Sequence, residues 1–180
     1  MFKKIIIGIS IVLVSAIVMI IMNRPLVAKG TVVLDDAQVA ALIFMYQEEK
    51  LARDVYITLG KKYPAESTFA NIQISEQQHI DAVEALCKKY GVNISNIDES
   101  AIGVFILPEL QSLYNTLIAQ GSVSLVEGLK VGVVIEEKDI TDILAYEEGM
   151  PAPVVQVFEN LRAGSYNHLN AFKTALTAAE

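Results

Sequence analysis

Cysteine occurs once in the 180 residues, at Cys87, which excludes an intramolecular disulfide and a metal site made of thiolates alone. Basic side chains are scarce as well, 14 Lys and Arg against 21 Asp and Glu. Lys3, Lys4, Arg24 and Lys29 precede every acidic residue, so residues 31–180 keep 10 basic groups against all 21 acidic ones, a net of −11. A body this acidic repels a phosphate backbone and attracts cations, which argues against nucleic acid as a partner. The 10 glycines are scattered and form no phosphate-binding loop. Strand signals are confined to residues 32–34 and 104–107, and there is no internal repeat or low-complexity tract. No Ser/His/Asp set can be argued from spacing, and Cys87, on an apolar helical stripe, reads as a small core residue rather than a nucleophile.

Hydrophobic residues make up 53% of the chain, too many for a disordered protein. Part of that excess is one run of 18 residues without a charge, 5–22, preceded by Lys3 and Lys4. As a helix it would rise roughly 27 Å, just enough to cross a hydrocarbon core of about 30 Å. It exceeds the usual signal-peptide core of about 7–15 residues, and its cleavage cues are poor. No cysteine follows it, so a lipoprotein anchor is excluded. The expectation is a transmembrane anchor, favoured over a cleaved signal, with residues 1–30 forming this segment plus a linker. Residues 31–180 would then be a domain at the cell membrane, on its extracytoplasmic side, or secreted if the segment is cleaved.

Helical periodicity appears over residues 35–62, 67–90, 122–148 and 152–178, with a shorter piece at 108–119. Asp35 or Asp36 and Ser67 or Thr68 supply caps, Gly60, Pro64 and Gly91 supply stops, and Gly164 is a candidate kink. Short links join the first two helices and the last two, which predicts two antiparallel hairpins. About 30 residues separate the hairpins, enough to carry the chain along the bundle. The fold class expected is all-α, a four-helix bundle with one long crossover connection.

Polar residues fall inside the apolar stripes of these helices. On the second, Glu76 and His79 lie amid Phe69, Ile72, Val83 and Leu86. On the third, Glu136 lies between Leu129, Val133, Ile140, Ile143 and Leu144, with Asp139 at the edge. His168 centres the fourth, among Val154, Val157, Leu161 and Phe172. The first helix is apolar around much of its circumference, so a wheel cannot choose between Glu48 and Glu49. An unpaired buried carboxylate costs several kcal/mol or takes up a proton. A divalent metal compensates several at once, and carboxylate with imidazole suits iron or manganese. Glu76 and His79, three apart, meet on one helix face as in bundle-core di-metal sites. The competing readings are a metal-free structural network, with Arg53 pairing to a buried Glu, and a non-catalytic metal-binding or interaction module. Glu49-Lys50 and Arg53-Asp54 alone would read as surface pairs.

The sequences Glu48-Glu49-Lys50-Leu51-Ala52-Arg53-Asp54-Val55-Tyr56, Ser75-Glu76-Gln77-Gln78-His79, Ile135-Glu136-Glu137 and Gly164-Ser165-Tyr166-Asn167-His168-Leu169 resemble a ferritin-like family catalogued as domain of unknown function 2202. The likeness covers residues 36–177. More distantly, Glu49-x-x-Ala52-Arg53-x-x-Tyr56 and Glu76-x-x-His79 are similar to rubrerythrins. That resemblance favours Glu49 over Glu48. It implies two iron ions, or manganese, held by Glu49, Glu76, His79, Glu136 and His168, with Glu76 bridging. Dioxygen or peroxide would be the reactant, giving ferroxidase or peroxidase-like oxidoreductase activity, and a homodimer is compatible with it. A full second Glu-x-x-His would need Glu at position 165, where this chain has Ser165; Asp139, Glu48 or Glu137 would have to fill the gap. Tyr56 and Tyr46 are near enough on the wheel to donate hydrogen bonds to the ligands, with simple packing the favoured alternative for each, and Tyr56, Arg53 and Ser165 are placed in supporting positions.

Overall fold

The computed structural model describes residues 32–180, and the expected membrane or signal segment at 5–22 lies outside them. Among the described residues there are five helices and no strand: α1 (Asp36–Lys62), α2 (Ser67–Tyr90), α3 (Pro108–Gly121), α4 (Leu125–Tyr146) and α5 (Ala152–Ala179). None of these helices is long and apolar enough to cross a membrane. The boundaries follow local chemistry. Asp35 caps α1 in a reciprocal box with Gln38, and Gly91, at φ 70°, ends α2 in the left-handed conformation that an L side chain resists. Glu66, rather than Ser67 or Thr68, caps α2 by accepting from the Thr68 N–H. The helix expected at 122–148 starts later, because Ser124 turns its hydroxyl to the Glu127 N–H and breaks the chain from α3.

The apolar core is divided in two. One cluster gathers Leu42 and Met45 of α1, Ile80 and Val83 of α2, Ile143 of α4, and Phe158 and Leu161 of α5. The other gathers Val55 and Leu59, Phe69 and Ile72, Leu129 and Ile135, and Phe172 from the same helices. Going up in number, α1 and α5 pass from opposite clusters to α2 and α4, in a way that fixes their directions. α1 runs from the first cluster to the second, α2 and α4 run from the second to the first, and α5 runs from the first to the second. Both hairpins are therefore antiparallel, and α2 and α4 are parallel. The connection between them must travel the bundle's length, which residues 91–107 and α3 do.

This connection covers the outer side of α1 and explains why the helical wheel of α1 was uninformative. Every residue from Met45 to Tyr56 is buried. Lys50 and Asp54 form an ion pair of 2.5 Å with no exposure on either side chain, and neither is a surface pair as their sequence context suggests. Lys50 also donates to Ala101 O, Asp54 accepts from the Gly103 N–H, and Gln47 accepts from the Ile106 and Leu107 N–H groups. A loop with no regular hydrogen bonding is thus satisfied by polar side chains of one helix. Leu144, placed on the buried stripe of α4 by periodicity, is instead 48% exposed.

Candidate metal centre

Between the two apolar clusters lies a polar layer to which all four long helices contribute. Glu76 of α2 is at its centre. Its Oε2 is 2.9 Å from His79 Nδ1 on the same helix, and its Oε1 is 2.9 Å from His168 Nδ1 on α5. Each imidazole has a second carboxylate: Glu49 Oε2 of α1 is 3.2 Å from His79 Nδ1, and Glu136 Oε2 of α4 is 3.5 Å from His168 Nδ1. The two rings lie 5.3 Å apart between centroids. The ligand-type atoms of Glu76, His79 and His168 all fall within 4.8 Å of one another, close enough for one ion to touch all three.

Supporting contacts orient these groups. Tyr56 donates its hydroxyl to Glu136 Oε1 at 2.5 Å. Ser75 Oγ sits 2.9 Å from His168 Nε2; if it takes that ring proton, Nδ1 is left with its lone pair facing the carboxylates. Ser165 donates to Asp139 Oδ2 at 2.5 Å. Position 165 of α5 thus carries no carboxylate of its own, and its serine instead holds a buried one of α4, one turn beyond Glu136. Gly164 does not interrupt α5. A Cβ there would stand 2.5 Å from His79 Nε2, so what this glycine provides is room for the imidazole.

Other expected contributors are elsewhere. Arg53 reaches Asp54, Gln77 and Glu99, holding the connection after α2, and touches none of the layer's carboxylates. Tyr46 donates to Glu99 in the same network. Glu137 is on the surface with Lys173. Glu48 is buried beside α4, ion-paired with Lys138 at 2.6 Å. Periodicity gave no sign of Ser75 or Lys138, because each acts through a neighbour on another helix.

Burial and mutual charge decide the protonation of the layer. Burial would raise Glu76, but the His168 and His79 rings, each 2.9 Å from one of its oxygens, outweigh it and hold the group at about 2. Burial would lower both imidazoles; the carboxylates win, raising His79 to about 11 through Glu49 and Glu76 and His168 to about 9 through Glu136 and Glu76. Glu136 is raised to about 8 by burial and the charge of Glu76. Glu49 is raised by burial, and Asp139 is raised well above the carboxylate range by burial and by Glu49, Glu48 and Glu136. Glu76, the carboxyl of the layer that is held low, thus lies between two imidazoles raised by their carboxylates, while burial pushes Glu49, Glu136 and Asp139 upward around it.

That arrangement leaves valences open. Glu49 Oε1, Glu76 Oε1, Asp139 Oδ1 and His168 Nδ1 are buried without a hydrogen-bond partner; Glu76 Oε1 and His168 Nδ1 approach to 2.9 Å without the alignment a hydrogen bond requires. Buried polar atoms are almost always satisfied, and each exception costs about 1–3 kcal/mol. Four in one layer, all of metal-ligand type, fit a cation that completes them. The donor set of carboxylates and imidazoles, with no thiolate, suits iron or manganese.

Comparison with known proteins agrees with the fold and is silent on activity. The chain is 44% identical over 132 residues to a protein of Methanocaldococcus jannaschii named "Uncharacterized protein MJ0754", covering 73% of this chain and 70% of the other. The crystal structure titled as that of hypothetical protein MJ0754 from Methanococcus jannaschii superposes with a TM-score of 0.77 at 40% identity, over 81% of this chain and 83% of the other. Residues 38–179, which include every residue of the polar layer and all of the four long helices except the first two residues of α1, match the family described as Uncharacterized protein domain (DUF2202), and the chain belongs to that family.

Proposed function

We propose that this protein is a ferritin-like, rubrerythrin-related metalloprotein that holds two metal ions, iron by preference or manganese, in the polar layer of its bundle. One observation carries the reading: the two oxygens of Glu76 face different imidazoles, and each imidazole has a carboxylate of its own. Glu76 would then be shared by the two ions, Glu49 and His79 would hold one, and Glu136 and His168 would hold the other. Asp139, held by Ser165, is the additional carboxylate. A purely structural network is the weaker account, because it leaves four ligand atoms of the layer without partners.

When bound, iron would supply the reduction of dioxygen or peroxide, giving ferroxidase or peroxidase-like activity. The chain's own residues set the conditions. The apolar clusters on either side exclude bulk water, Tyr56 fixes the orientation of Glu136, Ser75 fixes that of His168, and Gly164 lets His79 approach. In this reading residues 5–22 tether the domain at the membrane, outside the cytoplasm.

The test is metal content of the full-length chain purified without chelator from iron- and manganese-supplemented cells. About two equivalents are expected, falling below one in Glu76→Gln, with the metal-free variant folded. Failure of the wild-type protein to take up ferrous iron anaerobically would overturn the reading. Oxygen or peroxide consumed well beyond the metal supplied would mark a catalyst; consumption matching the metal would mark a binding or storage module.

A further inference from the structure

The polar layer is sealed along the bundle axis by the two apolar clusters, so a hydrated ion needs a lateral way in. A candidate lies on the α4 side of α1. A small cavity of about 20 Å³ lies among α1, α3 and α4, lined by Glu48, Lys138 and Asp139 together with apolar groups that include Leu113 and Leu117. This is room for one water molecule. Glu48 is 4% exposed, and its Oε2 has no partner although the cavity is beside it. Asp139, which lines the inner wall, has an unpartnered Oδ1 and its other oxygen on Ser165. At the outer end Lys138, about a third exposed, bonds both Glu48 and the partly exposed Asp142.

These residues form a graded series from solvent to the layer: Asp142 partly exposed, Glu48 buried, Asp139 buried and adjoining the ligands. The unpartnered oxygens of Glu48 and Asp139 belong to residues that both line this water-sized space. Lys138 is the only cation among the polar groups lining the cavity. It sits where an incoming cation would have to pass.

We propose that divalent metal ions reach the buried centre between α1, α3 and α4, passed from Asp142 to Glu48 to Asp139, with Lys138 as a tethered cation that occupies the route until a metal displaces it. The proposal rests on the metal-centre reading above and adds how that centre fills. It assigns Glu48 and Asp142 to the rate of loading and not to its end point.

The experiment follows Co²⁺ binding to the metal-free full-length chain by stopped-flow absorbance, with final stoichiometry measured on the same samples. Glu48→Gln is expected to slow loading about tenfold or more at unchanged stoichiometry, since steering by charge changes on-rates by this order. Asp142→Asn, at a partly exposed position where misfolding is not a concern, should slow it in the same direction, and Lys138→Met should accelerate it. Glu137→Gln, on the exposed face of α4, serves as the control for general surface charge and should leave the rate unchanged. Wild-type rates in both Glu48→Gln and Asp142→Asn would overturn the route while leaving the centre intact. A lower final stoichiometry in Glu48→Gln would make Glu48 a ligand and also overturn it. A wild-type chain that binds no Co²⁺ would remove the metal-centre reading itself, an outcome distinguishable from the other two.

Discussion

At the scale of single residues, the centre depends on small side chains as much as on ligands. Gly164 and Ser75 bind nothing in the proposed site, yet each decides where an imidazole nitrogen points. Gly164→Ala places a methyl 2.5 Å from His79 Nε2, and the ring must move because the helix backbone cannot. A loss of about 1–3 kcal/mol of stability is expected from the overpacking, with weaker metal binding at the Glu49–His79 half of the site. Thermal unfolding of the metal-free protein and competition titration of the loaded one measure the two effects separately. Ser75→Ala leaves the core unchanged but frees His168 Nε2 from its partner. Outer partners of this kind are worth about 10–100-fold in metal affinity, and a loss in that range is expected by the same titration. Ser165, where a second Glu-x-x-His would have its carboxylate, holds the buried Asp139 of the neighbouring helix, a pairing that no motif within α5 reports.

At the scale of the elements, α1 has two jobs on two sides. Glu49 and Tyr56 face the polar layer, while Gln47, Lys50, Arg53 and Asp54 fasten the connection between the hairpins. Asp54→Ala would leave Lys50 buried without its counter-charge, a loss of about 3–5 kcal/mol, and replacing the pair together by Met and Leu should not restore it, since Arg53, the Gly103 N–H and the Ala101 carbonyl would still lack their partners. Urea denaturation gives the magnitude, and proteolysis should show the first cleavage in residues 96–107. This double duty also sets what the sequence could convey. Glu76, His79, Glu136 and His168 were legible because α2, α4 and α5 each bury one stripe, so a polar residue within it stands out. Glu48 and Glu49 could not be separated on α1, since a helix covered on every side has no stripe. Arg53 was misplaced for the same reason: its partners, Gln77 and Glu99, come from α2 and the connection, and no periodicity within α1 reports them. The separation of α3 from α4 was legible, but the start of α4 at Leu125 rests on one hydroxyl of Ser124, a weak signal beside the apolar residues around it.

For the whole molecule, the polar layer governs how stability responds to pH. Glu136 rises from an ordinary 4.5 to about 8, and His168 from 6.5 to about 9. Both bind more protons in the folded than in the unfolded chain, so their contribution is full at low pH and is lost as pH rises, over 4.5 to 8 for Glu136 and 6.5 to 9 for His168. Glu76, depressed to about 2, acts only in the opposite direction and only below about 4.5. The metal-free protein is therefore expected to have a lower Tm at pH 8.5 than at pH 5.5, where most proteins of this charge change little. Metal binding must expel the same protons, so affinity should rise with pH and loading should acidify a weakly buffered solution. Calorimetric scans with and without metal at the two pH values check both signs.

The division of the core into two apolar clusters has a mechanical consequence. Helices ordinarily open from their ends, where the fewest contacts hold them. Here apolar clusters hold each long helix on both sides of the polar layer, and the layer between them is a set of buried carboxyls and imidazoles with unpartnered atoms. Chelation should consequently raise amide exchange first at the midpoints of all four helices, near Glu49, Glu76, Glu136 and His168, while the turns on either side stay protected. Such a bundle would loosen as a hinge loosens, at its pin.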